Sequence, residues 1–274
     1  MHPTIDLGPL QVSSFSLMLV LAFLVAALIG VRQAAFLKID PQIVWGLIPW
    51  AAVAGLVGAQ LYSIVVGLFN GGATTLAELF ANRGQVFYGG LIAGVLVVAW
   101  RFRRTGHPLH VLFDYGAPSV AVAHAIGRLG CFLVGDDYGY HTSLPWAVAF
   151  PNGAPPSTAG YLRSMGDDIG PDVPASMVVA VHPVQLYEAL VLAILGAMLW
   201  SASRRPHRPY TVFAAYAIAY GLWRFGIEFI RPKNDHLLGS ITSAQAISIG
   251  MVLLGATLAL RPREATVRRE QLRR

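Results

Sequence analysis

A helix needs roughly 20 mostly apolar residues to cross the hydrocarbon core of a bilayer. This sequence holds about seven stretches near that length, spread from one end of the chain to the other. They fall near residues 12–31, 42–70, 86–101, 109–133, 183–201, 210–230 and 240–260. What remains between them is too short for a separate soluble domain. Only 12% of the 274 residues are charged, against roughly 25% in a soluble domain. The sequence therefore predicts one all-α polytopic membrane domain over residues 1–274, with about seven transmembrane helices. The second stretch is long enough for a tilted helix or for one that breaks near Gly58. The third is short enough to begin before Val86. No Lys or Arg precedes the first stretch, so it reads as a spanning helix rather than a cleaved leader.

The basic residues set the expected orientation. Arg32 and Lys38 follow the first stretch; Arg101, Arg103 and Arg104 follow the third; Arg204, Arg205 and Arg208 follow the fifth. A basic tail over 261–274 adds Arg261, Arg263, Arg268, Arg269, Arg273 and Arg274. The opposite side has Arg83, Arg163, Arg231 and Lys233. Lys and Arg accumulate in cytoplasmic loops, so the richer side is predicted to be cytoplasmic, with the N-terminus outside and the C-terminus inside. The net charge of +6 then reports topology and contact with anionic lipid. No basic face with interleaved aromatics points to nucleic acid.

Residues 134–181 form one long connection on the predicted outer side, rich in Gly and Pro and carrying Asp136, Asp137, Asp167, Asp168 and Asp172. Such a segment is either a flexible loop or a functional one. Trp146, Phe150 and Tyr161 suggest that part of it packs as a small periplasmic head between helices 4 and 5. The single cysteine, Cys131, excludes an intrachain disulfide. It reads as a small packing residue, or as a nucleophile if Arg128, one turn away, favours its thiolate. No metal-ligand cluster and no phosphate-binding Gly-Lys-Ser/Thr loop is present, so neither metal nor cofactor is expected.

Ionisable residues inside a membrane mark function by default. Here they are Asp114 and Arg128 in the fourth stretch, Glu188 in the fifth, and Arg224 and Glu228 in the sixth, with His182 and Arg231 at stretch ends. Counting about 1.5 Å per residue, all but Asp114 fall in the outer leaflet. Arg224 and Glu228 share a helix face, and Arg231 continues it. Guanidinium groups suit bidentate phosphate binding, so the cluster suggests a site for a phospholipid headgroup; the other reading is an ion-pair network that holds the bundle. His182-Pro183 places His182 as a helix N-cap or a proton acceptor. Gly127, Gly130, Gly135 and Gly139 permit close approach of a helix or a ligand.

These residues resemble the prolipoprotein diacylglyceryl transferase family. The similar segments are Gly127-Arg-Leu-Gly-Cys-Phe-Leu-Val-Gly-Asp-Asp-Tyr-Gly139, Leu144-Pro-Trp-Ala-Val-Ala-Phe-Pro151, His182-Pro-Val-Gln-Leu-Tyr-Glu188 and Arg224-Phe-Gly-Ile-Glu-Phe-Ile-Arg231, together with Gly89-Gly-Leu-Ile92 and Asp114. The resemblance implies transfer of a diacylglyceryl group from phosphatidylglycerol to the lipobox cysteine of a prolipoprotein, with release of glycerol phosphate. It implies a bacterial inner-membrane location, with membrane lipid and a lipobox peptide as partners. Arg128 and Arg224 would hold the phosphate, Glu228 would orient Arg224, and Asp136, Gly139, His182, Gln185 and Glu188 would shape the site. Gly89, Gly90, Asp114 and Arg231 are further substrate-binding candidates. Where the family has His before its paired glycines, this chain has Tyr88, which joins Arg128, Arg224 and Glu228 as a catalytic candidate. It has Phe15 for a Tyr, Cys131 and Val134 for asparagines, and Asp136 for a Glu.

The alternatives are a divergent paralogue with another acceptor or lipid, and a non-catalytic phospholipid- or lipoprotein-binding protein. Lipid binding without transfer would mark the latter. A transporter would show an inverted repeat and broken midplane helices; the sequence has no such repeat, and its charges gather in one leaflet.

Overall fold

The computed structural model describes residues 4–7, 10–69, 86–232, 236–238 and 241–261. The side chain of Tyr88 and the basic tail beyond Arg261 lie outside the described residues. Helices dominate: α1 (Ser14–Phe36), α2 (Pro41–Phe69), α3 (Val86–Arg103), α4 (Leu109–Val134), the short α5 (Ala159–Ser164), α6 (Val184–Ser203), α7 (Thr211–Ile227) and α8 (Ser243–Ala259). A 3-10 turn, Glu228–Ile230, extends α7. Antiparallel pairs of short strands lie between them: β1 (Thr4–Leu7) with β2 (Leu10–Ser13), β3 (Val148–Ala149) with β4 (Ala180–Val181), and β5 (His236–Leu238) with β6 (Ile241–Thr242).

Among the described residues, four helical segments are long and apolar enough to cross a membrane: Ser14–Phe36, Pro41–Val65, Leu109–Val134 and Val184–Ser203. Leu24, Leu56, Leu96, Leu190, Leu222 and Leu253 are each at least half exposed. Apolar side chains spread over so many outer helix faces would be costly in water and are at home in lipid.

The chain divides into two compact units, residues 27–112 and residues 1–26 with 113–274. In the first, α2 packs on α3 through glycines. A Cβ on Gly89 would stand 2.5 Å from the Gly58 carbonyl oxygen, and one on Gly90 would stand 2.8 Å from that of Gly55. Small residues let helix backbones approach this closely. The break considered near Gly58 does not occur. The helix runs through it, because a lone glycine weakens a helix by only about 1 kcal/mol and this one seats α3.

In the second unit, α4, α6 and α7 meet around Ala117, Ala121, Leu192, Leu195, Val212 and Tyr216. Gly255 of α8 lies against α7, where a Cβ would stand 2.9 Å from the Ala214 carbonyl oxygen. The segment between α4 and α6 has its own core of Tyr138, Phe150, Ala159, Leu162, Ile169 and Val181. Phe150 stacks on Tyr138, with ring centroids 5.1 Å apart, and Tyr161 packs at the edge of this core. Trp146 departs from expectation. It is exposed, and its indole N–H donates to the Tyr187 hydroxyl at 2.7 Å.

Candidate active site

The site is assembled at one end of α4, α6 and α7. Arg128 comes from the last turns of α4, Glu188 from the second turn of α6, and Arg224 from the last turn of α7. Glu228 and Arg231 follow on the 3-10 turn and just beyond it. Asp137 reaches in from the chain that leaves α4.

Six charged groups form a closed ring of alternating sign. Arg128 pairs with Asp137 Oδ2 at 3.0 Å, and the other oxygen of Asp137 lies 2.7 Å from Arg231. Arg231 approaches Glu228 at 3.3 Å, and Glu228 accepts from Arg224 at 2.5 Å. Arg224 Nε is 3.9 Å from Glu188 Oε1, and Glu188 Oε2 is 3.0 Å from Arg128 Nε. Glu188 is fully buried. Neither of its oxygens has a well-aligned hydrogen bond, nor does Arg128 Nε, despite their 3.0 Å approach. That contact is an attraction of charges rather than a directed bond. Glu228 is held more firmly, because the Thr242 hydroxyl donates to its second oxygen at 3.1 Å. Thr242 is at the same time the N-cap of α8, accepting from the Gln245 amide within a capping box.

Several expected residues support this ring from behind. Gln185, fully buried, donates to the Asp136 carbonyl at 2.5 Å and so fixes the turn that presents Asp137. Gly139 lies where three segments meet. Its amide donates to the His182 carbonyl at 2.9 Å, and a Cβ there would stand 2.7 Å from the Ile230 carbonyl oxygen. Burial, then the neighbouring charge of Asp137, raises the Asp136 carboxyl to about 6. The ligand atoms of Cys131, Asp136 and Asp137 lie within 4.8 Å of one another. Two arginines already engage Asp137, which leaves this trio poorly suited to a cation.

One expectation needs correction. His182 is not a helix cap: α6 begins at Val184 with Pro183 in the cap position. The His182 amide donates to the Tyr140 carbonyl and its own carbonyl accepts from Gly139, so the backbone is held extended. Its ring instead faces the Tyr187 hydroxyl at 3.4 Å. Burial holds the imidazole below its ordinary range against the opposing pull of Asp167. Asp114 stands apart from the arginines, as its place in the fourth stretch leads one to expect. It is buried and accepts from the Tyr210 and Phe213 amides at 2.6 and 2.9 Å, which caps the start of α7. Along α4 it stands about 21 Å from Arg128 at ~1.5 Å per residue.

Gly89 and Gly90 serve the α2–α3 contact. Phe15, in place of the family Tyr, lies beside Gly130, where a Cβ would stand 3.3 Å from its ring. Sequence reasoning named Asp137 only among the acids of a loop and did not single out Thr242. The available signal for Asp137 was charge balance, since Arg128, Arg224 and Arg231 outnumber Glu188 and Glu228.

The family model described as prolipoprotein diacylglyceryl transferase matches residues 3–261. A relative from Nitratidesulfovibrio vulgaris, named phosphatidylglycerol--prolipoprotein diacylglyceryl transferase, is 31% identical over 269 residues, covering 94% of this chain and 92% of its own. A relative of the same name from Stenotrophomonas maltophilia is 30% identical over 280 residues, covering 98% of this chain and 94% of its own. One from Gloeobacter violaceus, again of that name, is 29% identical over 257 residues, covering 92% and 89%. The match runs through the segments that carry the arginine–carboxylate ring, and the chain belongs to the prolipoprotein diacylglyceryl transferase family.

Proposed function

We propose that this multi-pass membrane protein transfers the diacylglyceryl group of phosphatidylglycerol to the lipobox cysteine of a prolipoprotein. The observation that carries the proposal is the ring of three arginines and three carboxylates. In the reaction, the cysteine sulfur forms a bond to the glycerol carbon of the diacylglyceryl group. The bond from that carbon to the phosphate oxygen breaks, and its electron pair leaves with the oxygen. A singly charged phosphodiester becomes a doubly charged glycerol phosphate, and the thiol proton is released to water or to that product. The extra charge appears on the phosphate, so preorganised guanidinium groups lower the barrier. In this reading Arg128 and Arg224 hold the phosphate and Glu228 orients Arg224. Gln185, Glu188, Asp136, Gly139 and His182 maintain the pocket, Arg231 assists, and the family resemblance makes Tyr88 a further catalytic candidate.

The proposed topology has seven crossings in the bacterial inner membrane, with the N-terminus outside, the packed segment 134–181 in the periplasm and the C-terminus in the cytoplasm. Supporting it, the arginine-rich helix ends carry aromatic partners suited to an interface. Arg101 stands over Trp50 at 5.4 Å, Arg104 over Trp100 at 4.8 Å and Arg204 over Trp200 at 4.2 Å.

Incubation of the purified protein with labelled phosphatidylglycerol and a lipobox peptide tests the function, with Arg224→Ala as control. The expected result is label on the peptide cysteine, absent in the control. Retained phosphatidylglycerol without transfer would favour a second reading, a lipid-binding paralogue, which the departures at Phe15 and Tyr88 support.

A further inference from the structure

We propose that Asp137 is an exchangeable counterion of the ring, paired with Arg128 and Arg231 and leaving them when the lipid phosphate enters. The inference rests on the reading of the ring as the phosphate site.

Charge counting gives the first reason. Within the ring, three arginines with Glu188, Glu228 and Asp137 sum to zero, and Asp136 beside Asp137 adds nothing positive to offset a further anion. An incoming phosphodiester monoanion would leave such a site with a net negative charge in a region shielded from water, which is unfavourable. Without Asp137 the ring carries one positive charge, which a phosphodiester balances. Displacing one carboxylate keeps the ring balanced.

The geometry selects which one. Glu188 is fully buried between Arg128 and Arg224. Glu228 is buried and held by two arginines and the Thr242 hydroxyl. Both ride on the helix framework. Asp137 is 34% exposed and sits outside any helix, in a left-handed backbone conformation with φ of 59°. Of the three carboxylates it is the one at the water edge and outside a helix. It also presents one oxygen to each of two guanidinium groups, at 3.0 and 2.7 Å, much as the two free oxygens of a phosphodiester would.

The same exchange bears on release. The departing monoester carries one more negative charge than the lipid it came from and would otherwise bind the arginines more tightly. Return of the Asp137 carboxylate competes it away. Asp137 is thus a positioning and specificity residue that weakens both substrate and product, the product more.

The test uses purified full-length protein and the variants Asp137→Asn and Asp137→Gly, both compatible with a left-handed backbone. Binding of phosphatidylglycerol and of diacylglycerol, which lacks phosphate, is measured, together with inhibition of transfer by glycerol phosphate. Two partly exposed ion pairs are removed, so phosphatidylglycerol should bind about three- to tenfold tighter in both variants. Diacylglycerol binding should not change. Glycerol phosphate should inhibit more strongly by a larger factor, so that KM and kcat fall together. Weaker or unchanged phosphatidylglycerol binding in both variants would overturn the proposal and make Asp137 a structural brace. If the unaltered protein does not prefer phosphatidylglycerol over diacylglycerol, the phosphate-site reading fails first, and the role of Asp137 with it.

Discussion

At its Asp114 end, α4 holds a carboxylate whose two oxygens accept from the Tyr210 and Phe213 amides at 2.6 and 2.9 Å. At its Arg128 end, the facing carboxylate of Glu188 is equally buried, yet neither oxygen meets an aligned donor. A buried charge with well-directed hydrogen bonds has settled into one arrangement, and disturbing it costs stability. A buried charge balanced only by nearby opposite charge keeps bonding capacity in reserve. The first end organises a helix junction. The second has the character of a binding site.

The largest effect tests the second end. Arg128→Ala or Arg224→Ala should reduce transfer by about two to three orders of magnitude while leaving the protein folded. Full transfer in both would erase the distinction. Asp114→Ala should act the other way, lowering the stability of the detergent-solubilised protein by about 1–2 kcal/mol through the lost cap, with the phosphatidylglycerol KM unchanged. A raised KM in folded Asp114→Ala protein would break the comparison.

Thr242→Val should cost about 1 kcal/mol of stability and several-fold in transfer, since one hydroxyl serves both α8 and Glu228. Loss of stability alone would detach Glu228 orientation from the cap. The smallest expected effect is a pH slope. The Asp136 carboxyl titrates near 6 in the folded protein, above its unfolded value, so the stability it contributes is present below about pH 4 and fades as pH rises toward 6. Asp136→Asn should flatten that slope in melting measurements; an unchanged slope would assign it to another group.

Apolar run length marked α1, α2, α4 and α6 within a few residues, because lipid demands that length whatever the neighbours. The arginine cluster was legible for a related reason: Arg128, Glu188, Arg224 and Glu228 are expensive inside spans and so stand out. Asp137 did not stand out, since an aspartate in a polar loop costs nothing locally, and its partners are set by the fold. Asp114 was visible as a buried charge, but its role depends on the start of α7 arriving opposite it. The cap position of α6 turned on a strand-like hydrogen bond from the His182 amide to the Tyr140 carbonyl, a contact separated in sequence by 42 positions.

The double duty of Thr242 constrains how the chain can change length. Glu228 and Thr242 are held together by a side-chain contact. A single-residue shift in where α8 starts would withdraw the hydroxyl from Glu228 and the cap from Gln245 in one step.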